Sequence, residues 1–164
     1  MREYIIGGVK CIPFIGAASV FSNLFSCKLV ADNIVFNSSE QMYQYQKCVY
    51  LNRDRLAFCV LNSLNGYDSK MNMWNMFTPF EISEWKKVSL TFMYKILLCK
   101  YEQNEDFRKV LSLSKSSRLI EANAWDKYWG CGVGKSALVS RDKLDYSGEN
   151  KMGLLLEKIR DLKT

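Results

Sequence analysis

Residues 28–50 read KLVADNIVFNSSEQMYQYQKCVY, and two kinds of local pattern meet inside them. Lys28 to Val30 and Ile34 to Phe36 are short β-type runs, separated by Ala31-Asp32-Asn33, which has the composition of a tight hairpin turn. The residues that follow change character. Ser38-x-x-Gln41 has the form of a capping box, in which a serine hydroxyl accepts the N–H three residues on, and nothing from there to Tyr50 is Gly or Pro. A hairpin that feeds directly into a helix predicts an α+β chain.

On the N-terminal side, Tyr4 to Ile6 is another β-type run, so a small sheet is expected near that end. On the C-terminal side helical signals dominate, and the fold is expected to be predominantly α-helical. Thr78-Pro79-Phe80-Glu81 places a capping threonine, a proline at the first helical position and a glutamate three residues after the cap. That helix is expected to run to about Tyr101, with Ile82, Trp85, Val88, Phe92 and Ile96 as its core stripe. Asn104-Glu105-Asp106 reads as the cap of a short helix carrying Phe107, Val110 and Leu111. A last helix, from about Lys151 to Lys163, puts Met152, Leu155, Leu156, Ile159 and Leu162 on one face. Gly66 to Asp68 is the only mid-chain turn cluster, and no repeat or linker interrupts the chain, so residues 1–164 are expected to form one domain.

With 164 residues, 48% of them hydrophobic and 13% aromatic, the chain can close a core without metal or disulfide staples. No stretch approaches the ~20 uninterrupted apolar residues of a membrane span, and the apolar segment from Ile5 to Phe21 is broken by Lys10 and Pro13. A soluble protein of the cytoplasm, with no membrane partner, is the expectation. Cys11, Cys27, Cys48, Cys59, Cys99 and Cys131 are irregularly spaced with no C-x-x-C pair, and read as free, mostly buried thiols. Histidine is absent altogether. Its absence removes the commonest metal ligand, the commonest general base and every Ser-His or Cys-His pair, leaving carboxylates, lysine and tyrosine for any chemistry. The net charge of +6 suits association with a polyanion and equally suits an ordinary solvated surface.

Three segments carry candidate chemistry, each beside a plainer reading. Glu40, Gln44 and Lys47 sit at i, i+4 and i+7, so one helix face presents acid, amide and amine over two turns, as a salt-bridged solvent face also does. Tyr43 and Tyr50 flank that face, either as a stacking wall or as a half-buried side of the helix. Residues 121–130, EANAWDKYWG, concentrate two acids and two tryptophans, which suits a nucleoside pocket or a core tryptophan whose neighbouring Asp126 caps a turn. The Gly-rich run from Trp129 to Ser136 lacks the first glycine of a P-loop, and is either a ligand-lining turn or a flexible loop.

In their order these segments resemble the NADAR superfamily. The resemblance is carried by Phe21-Ser-Asn-Leu-Phe25; by Asn37 to Lys47; by Trp85, Met93 and Lys100-Tyr101; by Leu119 to Ala122 with Asp126-x-x-Trp129-Gly-x-Gly132; and by Gly148-x-Asn150-x-x-Gly153 leading to Arg160. It spans about Phe21 to Leu162, and departs from the family where Gln41 replaces a frequent histidine and Ser114-Lys115 a frequent Thr-Gly pair. It implies hydrolysis of ribose N-glycosides with neither metal nor cofactor. Lys47 would attack the ribose anomeric carbon, Glu40 would assist proton transfer, and Asp126 would hold ribose hydroxyls or help protonate the leaving base. Asn23, Phe25, Tyr43, Gln44, Trp85, Trp129, Gly130, Gly132 and Asn150 would line the pocket.

For the substrate, the basic charge and aromatic segments favour ADP-ribosylated guanine in nucleic acid, such as DNA modified by a toxin-like ADP-ribosyltransferase. The alternatives are a ribosylated small molecule, such as a riboflavin-pathway ribosylamino intermediate, and a non-catalytic module for ADP-ribose or NAD. A monomer is expected. The abundance of Lys, Asn, Tyr and Ser suits an AT-rich genome such as a viral one, in which case the cytoplasm is the host's.

Overall fold

The structure, a computed structural model, describes residues 1–163. They form two compact units, one built from Met1–Ser22 and the segment from Asp106 onward, the other from Asn23–Glu105. The chain is α+β and predominantly helical, as expected, and no helix among the described residues is long and apolar enough to cross a membrane. All six cysteines are free, with Cys11, Cys27, Cys48 and Cys131 buried.

The first unit holds a three-stranded sheet in the order β1 (Tyr4–Ile6), β2 (Val9–Phe14), β5 (Arg118–Glu121). Gly7 and Gly8, both at positive φ, turn β1 into its antiparallel partner β2. β2 then pairs in parallel with β5, setting Cys11 beside Arg118 and Phe14 beside Glu121. Ile6, Cys11, Ile120, Ala122, Cys131 and Leu138 make a core cluster of this unit. Leu138 comes from α6 (Lys135–Val139), a short helix that starts at the end of the Gly-rich run. Apart from β1, these pieces gave no signal in the sequence.

α7 (Lys151–Lys163) lies against β5. Its buried residues include Met152, Leu155, Leu156 and Ile159, as the stripe predicts, whereas Leu162 is 64% exposed. Arg160 is buried in the turn where Leu162 was expected, donating to the Ser117 carbonyl at 2.8 Å and to Ser114 Oγ at 3.2 Å. Glu157 accepts the Leu119 N–H at 2.7 Å and pairs with Arg118 at 3.0 Å, tying helix to strand again.

In the second unit β3 (Ser26–Ala31) and β4 (Ile34–Ser38) form the expected hairpin, its turn made by Asp32 and Asn33 at φ 50° and 61°. β4 runs straight into α1 (Ser39–Tyr50), where the Ser38 hydroxyl accepts the Gln41 N–H, worth about 1 kcal/mol. Gln41 departs from a simple capping box: its Oε1 accepts from Asn37 N at 2.7 Å, and its Nε2 donates to Val60 O at 2.9 Å. Val60 belongs to α2 (Asp54–Leu61), which is followed by α3 (Gly66–Asn72), neither of them anticipated. The Gly66 turn cluster is therefore a helix start, capped by Asn65, and a Cβ on Gly66 would lie 2.8 Å from Ser38 Oγ.

α4 (Pro79–Gln103) carries the full capping box of Thr78 and Glu81. Its seam is shifted from the expected stripe: Ile82 is 49% exposed, and the buried line is Trp85, Ser89, Met93, Ile96, Leu97 and Lys100. Two of these six are polar, which moved the apparent apolar stripe toward the exposed side. α5 (Glu105–Leu113) follows with Phe107 and Leu111 buried.

The seating of α7 is open to direct test. A Cβ on Gly153 would lie 1.8 Å from the Leu119 carbonyl oxygen. Helix propensity alone makes Gly153→Ala stabilising by about 1 kcal/mol, but the collision with backbone should reverse the sign and cost about 1–3 kcal/mol. Denaturant unfolding reads the difference, and an unchanged or raised midpoint would mean that α7 is not seated on β5 in this way.

Candidate active site

The acid, amide and amine face of α1 is not a solvated stripe. Glu40 and Gln44 are 7% and 8% exposed, and Gln44 Nε2 donates to Glu40 Oε1 at 2.8 Å. A carboxylate only accepts, so this contact orients the Gln44 amide and turns its Oε1 the other way. Asn23 joins the cluster through its backbone, its carbonyl accepting the Glu40 N–H at 3.0 Å, while its Nδ2 lies 3.2 Å from Met93 Sδ on α4. The amide oxygens, Asn23 Oδ1 and Gln44 Oε1, are buried and accept no hydrogen bond among the described residues; nor does the Ser39 hydroxyl have a partner among them. Each such group costs about 1–3 kcal/mol if nothing satisfies it. Buried acceptors around an acid match the hydroxyls of a sugar.

Lys47 is half-buried, two turns beyond Glu40, with Nζ 3.9 Å from the centre of the Phe77 ring. Burial pushes its pKa below the ordinary 10.5, against the opposing pull of Cys48, Glu40 and Glu81. Those acids are engaged elsewhere. Glu40 takes the Gln44 amide, while Glu81 accepts the Thr78 N–H at 2.8 Å and pairs with Arg53 Nε at 3.0 Å. The hydrogen bonds from Thr78, then the charges of Arg53 and Lys47, hold the Glu81 carboxyl below its usual range. Cys48, next along the helix, is fully buried and its thiol is pushed up to about 11 by that burial, so it stays protonated at neutral pH. Of the two adjacent side chains, the amine is the one poised to lose a proton.

Tyr43 and Trp85, expected in the pocket wall, form an aromatic cluster. The indole N–H donates to Tyr43 OH at 2.7 Å, the two rings are 5.3 Å apart, and Tyr50 and Phe92 pack on the same indole at 5.7 and 5.0 Å. Trp85 is 4% exposed, so its one donor is spent and it acts as a buried support behind α1. Phe25 lies against a second lysine, with Lys100 Nζ 5.5 Å from its ring centre. Lys100 is fully buried, and burial, partly offset by Cys27, brings its pKa down to about 8. Two open hollows on this unit, of about 400 Å³ beside Asn37, Gln41 and Ser63 and about 450 Å³ beside Arg53, Arg55 and Met76, have neither Glu40 nor Lys47 in their walls.

The remaining expected residues belong to the other unit. Asp126 Oδ1 accepts the N–H groups of Tyr128 and Trp129 at 3.0 and 2.8 Å, which is the turn-capping alternative that the sequence left open. Gly130 and Gly132 stand in that turn. The Gly132 N–H and the neighbouring Cys131 N–H are spent on the carbonyls of Asp126 and Glu121, so neither is offered to a phosphate. Trp129 is half-buried and packs edge-on against Tyr128 at 4.9 Å. Asn150, expected to touch substrate, is fully buried with both ends of its amide on β5: Oδ1 accepts from Glu121 N and Nδ2 donates to Leu119 O, each at 2.9 Å. Phe77, Arg53 and Glu81, which set the surroundings of Lys47, were not anticipated. Their only signal was the Thr78–Glu81 cap.

Comparison with known proteins agrees with this arrangement at the level of fold and family. The family model described as NADAR domain matches residues 14–162. Protein irg-1 of Caenorhabditis elegans is 29% identical over 165 residues, covering 92% of this chain and 78% of its own length. N-glycosidase YbiA of Escherichia coli is 26% identical over 148 residues, covering 86% of this chain and 79% of its own. The solution structure of E. coli YbiA superposes with a TM-score of 0.71 at 22% identity, over 93% of this chain and 83% of that one.

The charge balance at Lys47 gives a second test. Glutamine also serves at the third position of a capping box, so Glu81→Gln should keep the start of α4 while removing one anion. The Lys47 midpoint should then fall, and Arg53→Gln should raise it. The pH dependence of amine labelling at Lys47, followed by mass spectrometry, measures both; shifts in one common direction would contradict the arrangement.

Proposed function

The chain belongs to the NADAR family and is an N-glycosidase, and we propose that the bond it cleaves joins ADP-ribose to guanine in DNA. The observation that carries the reading is the buried Glu40–Gln44 pair, with the open acceptors of Asn23 and Gln44 beside it and a desolvated Lys47 two turns along the same helix. Acceptors of this kind take ribose hydroxyls, and a lysine with a lowered pKa supplies a neutral amine.

In the proposed reaction the Lys47 amine forms a bond to the ribose anomeric carbon as the bond from that carbon to the guanine nitrogen breaks. The electron pair of the broken bond leaves with the base, which takes up a proton delivered by way of Glu40. The nitrogen on the sugar then loses a proton, the ring opens to an imine, and water hydrolyses the imine to free ADP-ribose and Lys47. Gln44 holds Glu40 in place throughout. Asp126 has a positioning role within its own unit, where its carboxylate fixes the turn of residues 126–130.

The preference for a DNA substrate follows from the +6 charge, which favours a polyanion over a small metabolite. Incubation with DNA carrying ADP-ribosylated guanine, with ADP-ribose release followed by mass spectrometry, tests it. The wild type should release ADP-ribose, Lys47→Ala should release none, and Glu40→Gln should be slowed by about 10²–10⁴-fold. Full activity in Lys47→Ala would sink the covalent step. Cleavage of free ribosylated bases but not of modified DNA would move the substrate to the small-molecule class.

A further inference from the structure

Trp125 is 96% exposed, although it stands in one of the most heavily hydrogen-bonded loops of the chain. Its own N–H is held by Asn123 Oδ1 at 3.0 Å. On its C-terminal side, the carbonyls of Lys127, Tyr128, Trp129 and Gly130 accept N–H groups from Glu149, Lys151, Met152 and Asn150, which stitches the loop to the start of α7. An indole left in water forgoes the stabilisation that its burial would give. Here it is displayed on backbone that is already fixed.

The charges around it are sorted. Glu121 Oε2 is buried, and Asp126 Oδ1 is turned onto the N–H groups of its own turn. Lys127, next but one along the chain, is exposed, and Lys135 is half-exposed at the start of α6. The loop folds so that Lys127 packs beside Gly132 and Ala124 beside Gly134, the residue that precedes Lys135. What faces water is an indole with Lys127 two residues on and Lys135 at the start of the next helix, while Glu149, whose N–H the Lys127 carbonyl accepts, is paired with Lys151 at 3.1 Å. Those are the components of a single-strand platform: an aromatic face for a base and cations for its phosphates.

We propose that Trp125, with Lys127 and Lys135, is a stacking site for an unpaired base of single-stranded DNA. The proposal rests on the DNA reading of the substrate and gives that reading a residue. Stacking of a base on an exposed aromatic adds affinity that alanine substitution removes. Because a stacked base releases no counterions, this contribution is insensitive to salt, whereas a lysine–phosphate contact is not.

The test is binding of a fluorescein-labelled thymidine oligonucleotide to the full chain, by anisotropy at several salt concentrations. Trp125→Ala should weaken binding about ten- to a hundredfold at every salt concentration without changing the slope of log K against log salt. Trp125→Phe should recover most of the affinity, and Lys127→Ala should reduce the slope by about one. Trp125 is on the surface, so the melting temperature of Trp125→Ala should match that of the wild type. Equal affinity of wild type and Trp125→Ala overturns the proposal, even if the protein releases ADP-ribose from modified DNA. A Trp125-dependent affinity without any release upholds it and removes the proposed reaction instead. Concentration-dependent dimers abolished by Trp125→Ala, with oligonucleotide binding unaffected, would assign the indole to a second copy and overturn it as well.

Discussion

The candidate site depends on how Gln41 is held. Its N–H goes to Ser38, its side-chain oxygen to Asn37 and its side-chain nitrogen to the end of α2, so one residue ties the exit of β4, the first turn of α1 and the C-terminus of α2 together. The helix phase is then fixed, and with it the direction of Glu40 before it and of Gln44 and Lys47 after it. A hydrocarbon side chain at this position would take the acceptor from the Asn37 N–H and remove the side-chain tie to the end of α2.

How much was legible follows the distance over which each interaction acts. The hairpin at Asp32-Asn33, the Ser38 cap and the Thr78–Glu81 box involve residues within a few positions of one another, and each was readable from local chemistry. β2 and β5 are more than a hundred residues apart in their pairing, and neither alternates cleanly, because a strand buried on both faces need not. α2 begins with no side-chain cap and buries only Ala57 and Val60, too little for a helical stripe to show. In α4 the buried line passes through Ser89 and Lys100, and a reading that scores only apolar residues drifts to a neighbouring face.

The same reasoning separates the parts of the site that the sequence disclosed from those it concealed. Spacing put Glu40, Gln44 and Lys47 on one face, but spacing is blind to whether a face is wet; the decision came from Asn23, Gly66 and Met93, distant in sequence and packed around it. Asn150 shows the converse. It is fully buried with both ends of its amide bonded to β5, and motif resemblance alone does not distinguish such a structural amide from one that meets a ligand.

The electrostatic problem of the site is that a nucleophilic lysine needs acids nearby for proton transfer and must not be locked in the charged state by them. Two features of the structure meet both demands. The nearby acids have other claims on their charge: Glu40 accepts from Gln44, and Glu81 from Thr78 and Arg53, so neither is spent wholly on the ammonium. The surface under the amine is the ring of Phe77, which attracts a cation only weakly and offers no oxygen to accept its proton. Desolvation then decides the sign, and it favours the neutral amine. A residue bearing a carboxylate in place of the ring would work against that sign, so in the proposed reaction the aromatic at position 77 serves the amine as well as the core cluster it helps to fill.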